Sequence, residues 1–487
     1  MTGLAGEHDT YSGEGVVAGI YRNVSFSFGG FHFSTDGWRP NATQTETIAN
    51  GFVQWDATPQ TSFQLEVRNR ESELGDVQQR FFLDEFDPNF TDTVESFTVR
   101  AGGRHAFTPN SILLGSFIYQ DRFAKQNNDP FVVIPVINLA IDLHRKLPQE
   151  GLSFELQHLY RSRYFSLTTG AGYADVTGVL RSNLEILGAN IFDFPTADTR
   201  TRHANVYAYA NINLIKNVTF TLGVSVDHME GSSDVIPDGD KTLANPKGGI
   251  TWTPLPGTTL RAAVSRVLKR TLITDQTLEP TQVAGFNQFF DDPNVTEAWR
   301  YGVALDQKIT LDLFAGAELS RRDLTIPTVD LTAGTTSERS GGESLARGYL
   351  FWAPHRWLAL RTEYQYEHIT RSNPTTEEAP RVTTHRVPVG ISFFHESGFS
   401  SSVTATYWNQ HGKFQRALTT GVEESGSEDF VTVDAAINYR LPWRYGFVTL
   451  GVTNLLDKEF KFFNTDAENP FIQPSRMVFG RVTIAVP

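Results

Sequence analysis

Apolar and polar residues alternate at period two along most of the chain, and this rhythm predicts strands rather than helices. Between positions 218 and 227, Val218, Phe220, Leu222, Val224 and Val226 fall on one face, while Thr219, Thr221, Gly223, Ser225 and Asp227 fall on the other. The same division recurs at 63–68, 299–306, 358–367 and 431–440. A helix would scatter each of these sets around its axis. Short turns at 57–60, 108–111, 254–257, 353–356, 395–398 and 441–444 alternate with long polar stretches at 71–92, 181–200, 230–243, 269–294, 323–341, 411–429 and 457–473. Aromatics crowd the short turns: Trp55, Trp252, Trp352, Trp357, Phe393, Phe394, Trp443 and Tyr445. Outer-membrane barrels have this phase, with short periplasmic turns, long extracellular loops and an aromatic girdle at the interface.

The expected fold is therefore all-β: one large antiparallel transmembrane β-barrel of about 20–22 strands. Residues 1–12 read as a disordered or truncated lead-in and 13–487 as the barrel, with no linker dividing them. Counting back from a last strand that runs down into the periplasm makes 16–20 run downward too. The count thus asks for at least one strand, and a whole further domain, upstream of Met1. The stretch 131–144, strand or outer loop, is where the count is weakest.

Composition permits this reading without requiring it. The 487 residues are 40% hydrophobic with mean hydropathy −0.28, values that also suit a soluble sandwich or propeller. The longest apolar run, 132–141, is half the ~20 residues a membrane helix needs and contains Pro135, so any crossing must be made by a closed sheet. The chain has no cysteine and 36 phenylalanines. The first compartmental consequence is tolerance of an oxidising space; the second is a supply of lipid-facing side chains. A net charge of −13 argues against nucleic acid as a partner. The first fifteen residues lack the basic start and apolar core of a signal peptide.

Little enzymatic chemistry is written in the chain. The twelve histidines are dispersed without zinc-type spacing, and His158, His368 and His385 read as ordinary strand or loop residues. Nucleophile-elbow and phosphate-loop motifs are missing, and Gly170-Ala171-Gly172 sits in an alternating strand. A non-enzyme without cofactor or metal is expected. Acidic clusters at 84–87, at 234–240 and at Asp291-Asp292 have calcium-like oxygens but no calcium-loop spacing, and read as solvated loop charge. The polar faces of the strands carry the lumen-lining candidates: Glu66, Arg68, Arg261, Arg300, Asp306, Arg361, Glu363, Asp434, Arg440 and Arg481. Opposite charges on neighbouring strands would form ladders that a wet interior tolerates and a dry core does not.

The phrase Gly446-Phe-Val-Thr-Leu-Gly-Val-Thr-Asn-Leu-Leu-Asp-Lys-Glu-Phe460, followed by a final strand at 474–487, resembles the end of TonB-dependent receptors. The stretches 245–252, 259–266 and 292–302 are similar to their mid-barrel strands, in the same order. The resemblance implies the Gram-negative outer membrane, uptake of a small ligand such as a metal chelate or nutrient, and contact with lipid, lipopolysaccharide and the barrel-assembly machinery. It also implies TonB as a partner, reached through an N-terminal region. The passive-porin alternative stays open. The phrase at 270–288 resembles barrels attached to tetratricopeptide repeats, which would make the protein a membrane anchor or export platform. Strands that begin near Gly15 and a last residue that is Pro487 rather than an aromatic depart from the receptor pattern.

Overall fold

The structure is a computed structural model; it describes residues 1–134, 139–186, 189–194, 196–232, 241–270, 272–288, 292–330, 335–375, 378–416, 422–466 and 472–485. The strands follow one another as β1 (Thr2–Gly6), β2 (Thr10–Tyr21), β3 (Val24–Thr35), β4 (Gln44–Thr58), β5 (Thr61–Leu74), β6 (Thr91–Thr108) and β7 (Ser111–Ile134). Then come β8 (Leu139–Arg161), β9 (Phe165–Ile186), β10 (Ala189–Asp193), β11 (Ala197–Ile212), β12 (Val218–Ser232), β13 (Lys241–Trp252) and β14 (Thr258–Leu268). A small hairpin, β15 (Gln282–Val283) and β16 (Phe286–Asn287), stands apart from the main sheet. The rest are β17 (Glu297–Lys308), β18 (Leu313–Asp330), β19 (Thr335–His355), β20 (Leu358–Arg371), β21 (Arg381–Phe394) and β22 (Phe399–Gln415). The last three are β23 (Glu423–Arg440), β24 (Gly446–Thr453) and β25 (Met477–Ile484).

All strands of the main sheet pair antiparallel with their neighbours in sequence, β10 being an added edge on β9. The circle closes where β1 meets β25, from Thr2 against Thr483 to Gly6 against Phe479. The result is a closed antiparallel barrel of 22 strands. Residues 2–6 and 10–12, expected in the lead-in, are strand. The upward strand that the phase demanded before 16–20 is therefore β1 of this chain. Its five residues, two of them glycine, carry too little alternation to show in the sequence. In the 131–144 stretch, β7 and β8 form one long hairpin whose turn lies outside the described residues.

The face assignment follows the rhythm. Leu222 is 53% exposed toward lipid and Thr221 is 7% exposed on the inner side; Val303 and Ala304 divide likewise. Every girdle aromatic named above is exposed beside a short turn, and Trp357 stacks on Phe393 at 6.2 Å. Two of these turns need glycine. Gly257 (φ 84°) and Gly398 (φ 96°) lie in the left-handed region, and a Cβ there would come within 2.9 Å of Lys308 O or 2.8 Å of Arg440 O.

The outer side differs from expectation in one respect. Stretches read as long loops are largely strand: β18 and β19 stay paired out to Asp330 and Thr335, and β9 runs on to Ile186. An antiparallel ladder satisfies its own backbone and has no reason to stop at the bilayer surface. There the alternation fades, because water borders both faces; Arg321 and Asp323, on the outward face of β18, form a 2.9 Å pair.

The faces can be tested by charge insertion. Thr221 is a poor lumen control, since it is buried and donates to Asn211 at 2.7 Å. Gln64 is exposed on the inner face, beside lipid-facing Leu65. We expect Leu65→Arg to cost roughly 2–4 kcal/mol in a lipid refolding titration and Gln64→Arg far less. Equal costs would reverse the assignment.

Candidate functional site

The inner wall is a lattice of charged side chains, built because every second residue of each strand points inward. Glu66 of β5 accepts from Arg100 of β6 at 3.1 Å. Arg261 reaches Asp306 at 3.1 Å and Glu318 at 4.0 Å, and Arg300 lies 3.8 Å from Glu318. Glu363 holds Arg347 at 2.8 Å, and Arg361 donates to Thr404 at 3.0 Å. Asp434 accepts from the backbone N–H of Asn454 at 2.9 Å. Arg68 borders a cavity of about 490 Å³ together with Arg70, Arg100 and Arg122. Arg440 sits at the short-turn rim and Arg481 on exposed β25, so neither joins the lattice described here.

Sequence reasoning missed the most enclosed part. The connection between β14 and β17 does not stand out in solvent; it folds back into the barrel as a tongue. Its anchor is Glu279, 2% exposed at the side chain, which takes Arg270 at 2.9 Å and lies 3.8 Å from Lys247 of β13. Tyr209 donates to Glu279 at 2.6 Å and Asn205 at 3.2 Å, both from β11. Glu155 of β8 accepts from Thr277 and from the backbone of Leu278, each at 2.6 Å. Asp227 of β12 adds a second carboxylate beside Arg270 at 3.8 Å, and itself pairs with His203 at 2.9 Å.

The tip of the tongue is a tight hairpin. Ala284 and Gly285 both have positive φ, 46° and 85°, as a two-residue connection between β15 and β16 requires. A Cβ at Gly285 would also displace the Arg261 guanidinium from its place beside the hairpin. Beside it, Phe286 is held between Arg261 and Arg300, 5.4 and 5.7 Å from its ring centre, and occupies the space left by Gly302. Arg300 also donates to Asn287 O at 2.9 Å.

Two further loops fold over the opposite wall. Phe81 of the 75–90 loop stacks on Phe414 of β22 at 4.0 Å. Phe460 of the 454–476 loop stacks on Phe430 of β23 at 4.1 Å, and Phe462 meets Trp408 edge-on. Gln410 of β22 donates to Phe463 O at 3.0 Å, and the backbone N–H of Asn464 ties the two loops together by donating to Gln79 O at 2.9 Å. Of the acidic clusters, Asp84 pairs with Arg416 at 3.0 Å and Asp292 with Arg322, whereas 234–240 and 291 lie outside the described residues. The three histidines singled out have local hydroxyl partners: His158 with Ser111, His368 with Thr383 and His385 with Tyr364.

A closed 22-strand barrel with a charged, loop-filled interior is the frame in which the relatives can be judged. Residues 18–455 match the family model described as TonB dependent receptor-like, beta-barrel. The chain belongs to that family. It is an outer-membrane protein of the Gram-negative type. Solved members share its fold at low identity. The copper transporter OprC superposes with TM-score 0.73 at 12% identity, over 99% of this chain and 79% of that one. The ferripyoverdine receptor of the outer membrane of Pseudomonas aeruginosa gives 0.71 at 12%, over 99% and 71%. The ferric-catecholate import receptor Fiu from E. coli K12 gives 0.69 at 12%, over 99% and 81%. No curated protein matches the chain. The attachment to tetratricopeptide repeats finds no support in these matches. The phrase at 270–288 that suggested it lies in the tongue, which carries a β-hairpin rather than helices.

Outside the membrane, Glu378 shows how a loop is pinned to this TonB-dependent receptor-like barrel. Burial alone would raise its carboxyl pKa, but the bidentate hydrogen bonds of Arg339, one at 2.9 Å, outweigh burial and hold it below the usual glutamate value. A depressed carboxylate stabilises above the unfolded pKa and loses that contribution as pH falls through its own. Residues 372–375 and 378–380 should thus be protected in backbone hydrogen exchange at neutral pH and loosen in acid. Glu378→Gln should abolish the difference; a loop equally protected at both pH values in the native chain would contradict the pairing.

Proposed function

We propose that the protein is an uptake receptor, taking a small ligand such as a metal chelate or nutrient from outside the cell, energised through TonB. The observation that carries this is a lumen too wide for its wall side chains to fill, yet lined with charge and occupied by the chain's own loops. A solute passing such a wall meets fixed polar groups at every level, as selective uptake requires. The neighbours in fold include a copper transporter and ferric-chelate receptors, which makes metal chelates the first ligands to try. A passive porin could share the charged wall and the inward loops; dependence on TonB is what separates the two readings. Contacts with lipopolysaccharide and the barrel-assembly machinery belong to the same proposal.

The test is uptake in cells. A strain producing the protein from its native gene should accumulate radiolabelled iron citrate, an iron catecholate or a copper salt above a deletion strain. Accumulation should fall to background when TonB is removed. Uptake that persists without TonB would leave the porin reading and remove ours.

A further inference from the structure

We infer that residues 272–288 are a resident selectivity tongue: an outer connection folded into the lumen that limits the size and charge of solutes crossing this barrel. The inference needs only the barrel, not any particular ligand.

The segment starts and ends on the outer side, at the tops of β14 and β17. A solvated loop would be free to leave. This one is fixed to five strands of the stretch from β8 to β17, through Glu155, Asn205, Lys247, Arg261 and Arg300. Its contacts are built on both sides. Gly249 and Gly302 supply the hollows into which Ala284 and Phe286 fit; a Cβ on Gly249 would lie 2.8 Å from that of Ala284. Ile273 fills the corresponding space over Gly151, at 3.1 Å. Glycines in strand interiors weaken a sheet and mark close approach of another segment.

The tongue also divides the space. Leu272 and Asp275 border two cavities, of about 490 and 640 Å³, whose other walls include Arg68, Arg100 and Gln120 in the first and Gln64, Arg104 and Glu155 in the second. A solute moving along the lumen passes between this partition and the wall. The partition is charged as well as narrow. Lys247 and Arg270 face three carboxylates, Glu279, Asp227 and Glu155, so removing one carboxylate shifts the charge of a low-dielectric constriction, where fields are focused, toward positive.

The chain has no cysteine, which makes the test clean. The purified full-length protein is reconstituted in planar bilayers and folding is verified by heat-modifiable migration. The pair Gly249→Cys with Ala284→Cys should cross-link on oxidation and keep the conductance of the parent. Replacing 272–288 by a short Gly-Ser bridge should raise conductance several-fold and admit larger polyethylene glycols. Glu279→Gln should move the reversal potential in a salt gradient toward anions. A folded deletion variant with parental conductance would overturn the inference, as would a folded cysteine pair that stays reduced under oxidant. Should the deletion not fold, the cross-link and the Glu279→Gln reversal potential decide alone. Cellular uptake with an unchanged conductance on deletion would spare the receptor reading and remove the tongue.

Discussion

Lipid offers the backbone no hydrogen-bond partner, and this single deficit dictates the architecture. Each strand must find two neighbours, so the last must find the first. The closure is made by a small piece of chain. Five residues of β1 pair with β25 on one side and β2 on the other, and the backbone N–H of Ile484 donates to Met1 O at 2.8 Å. Gly6 belongs here because a Cβ would stand 2.9 Å from Val478 O. Closure thus depends on the least alternating strand of all, whose sequence is chosen for approach rather than for contact with lipid.

Once the sheet is closed at this circumference, its interior becomes the next problem. Side chains cannot meet across so wide a lumen, and charges left there singly would each bear a desolvation cost wherever water is thin. The wall answers by pairing along its own surface, as in Glu66 with Arg100 and Glu363 with Arg347. The outer connections answer by folding inward. Those over β22 and β23 do so with stacked phenylalanines; the tongue opposite does so with ions. The apolar residues of the chain are therefore in two places that a soluble protein would not combine, spread over the outside and gathered under loops at the mouth.

What was legible in the sequence follows from this division. The lipid face was plain at Leu222 and Val303 because only one side of the sheet is apolar there. Ladder partners on the wall were visible as types, though not as pairs: Arg347, Arg322 and Arg386 went unnamed because register decides which carboxylate each meets. The inward loops were hidden for a different reason. Nothing in a loop's polarity says whether it folds in or out. The signal was present but indirect, in the stretch 276–290, whose single charged residue is Glu279 and in which Gly285 is followed by Phe286. Beyond the bilayer the rhythm stops carrying information, so strand continuing to Asp330 looked like loop.

The tongue is seated on ions as well as on Phe286 in the hollow of Gly302, and the ionic part has a physical logic. An apolar seat inside a wet lumen would be stable only while covered, and any departure of the tongue would expose hydrocarbon to water within the passage. A wall of Glu155, Lys247 and Asp227 is solvated when bare and paired when covered. Because desolvation offsets much of the attraction between such groups, they contribute to where the tongue sits more than to net stability. The aromatic loops have no such balance, since stacking of Phe81 on Phe414 and Phe460 on Phe430 is lost outright when they part. The ionic groups under the tongue thus tolerate water that the stacked rings under the other two loops do not.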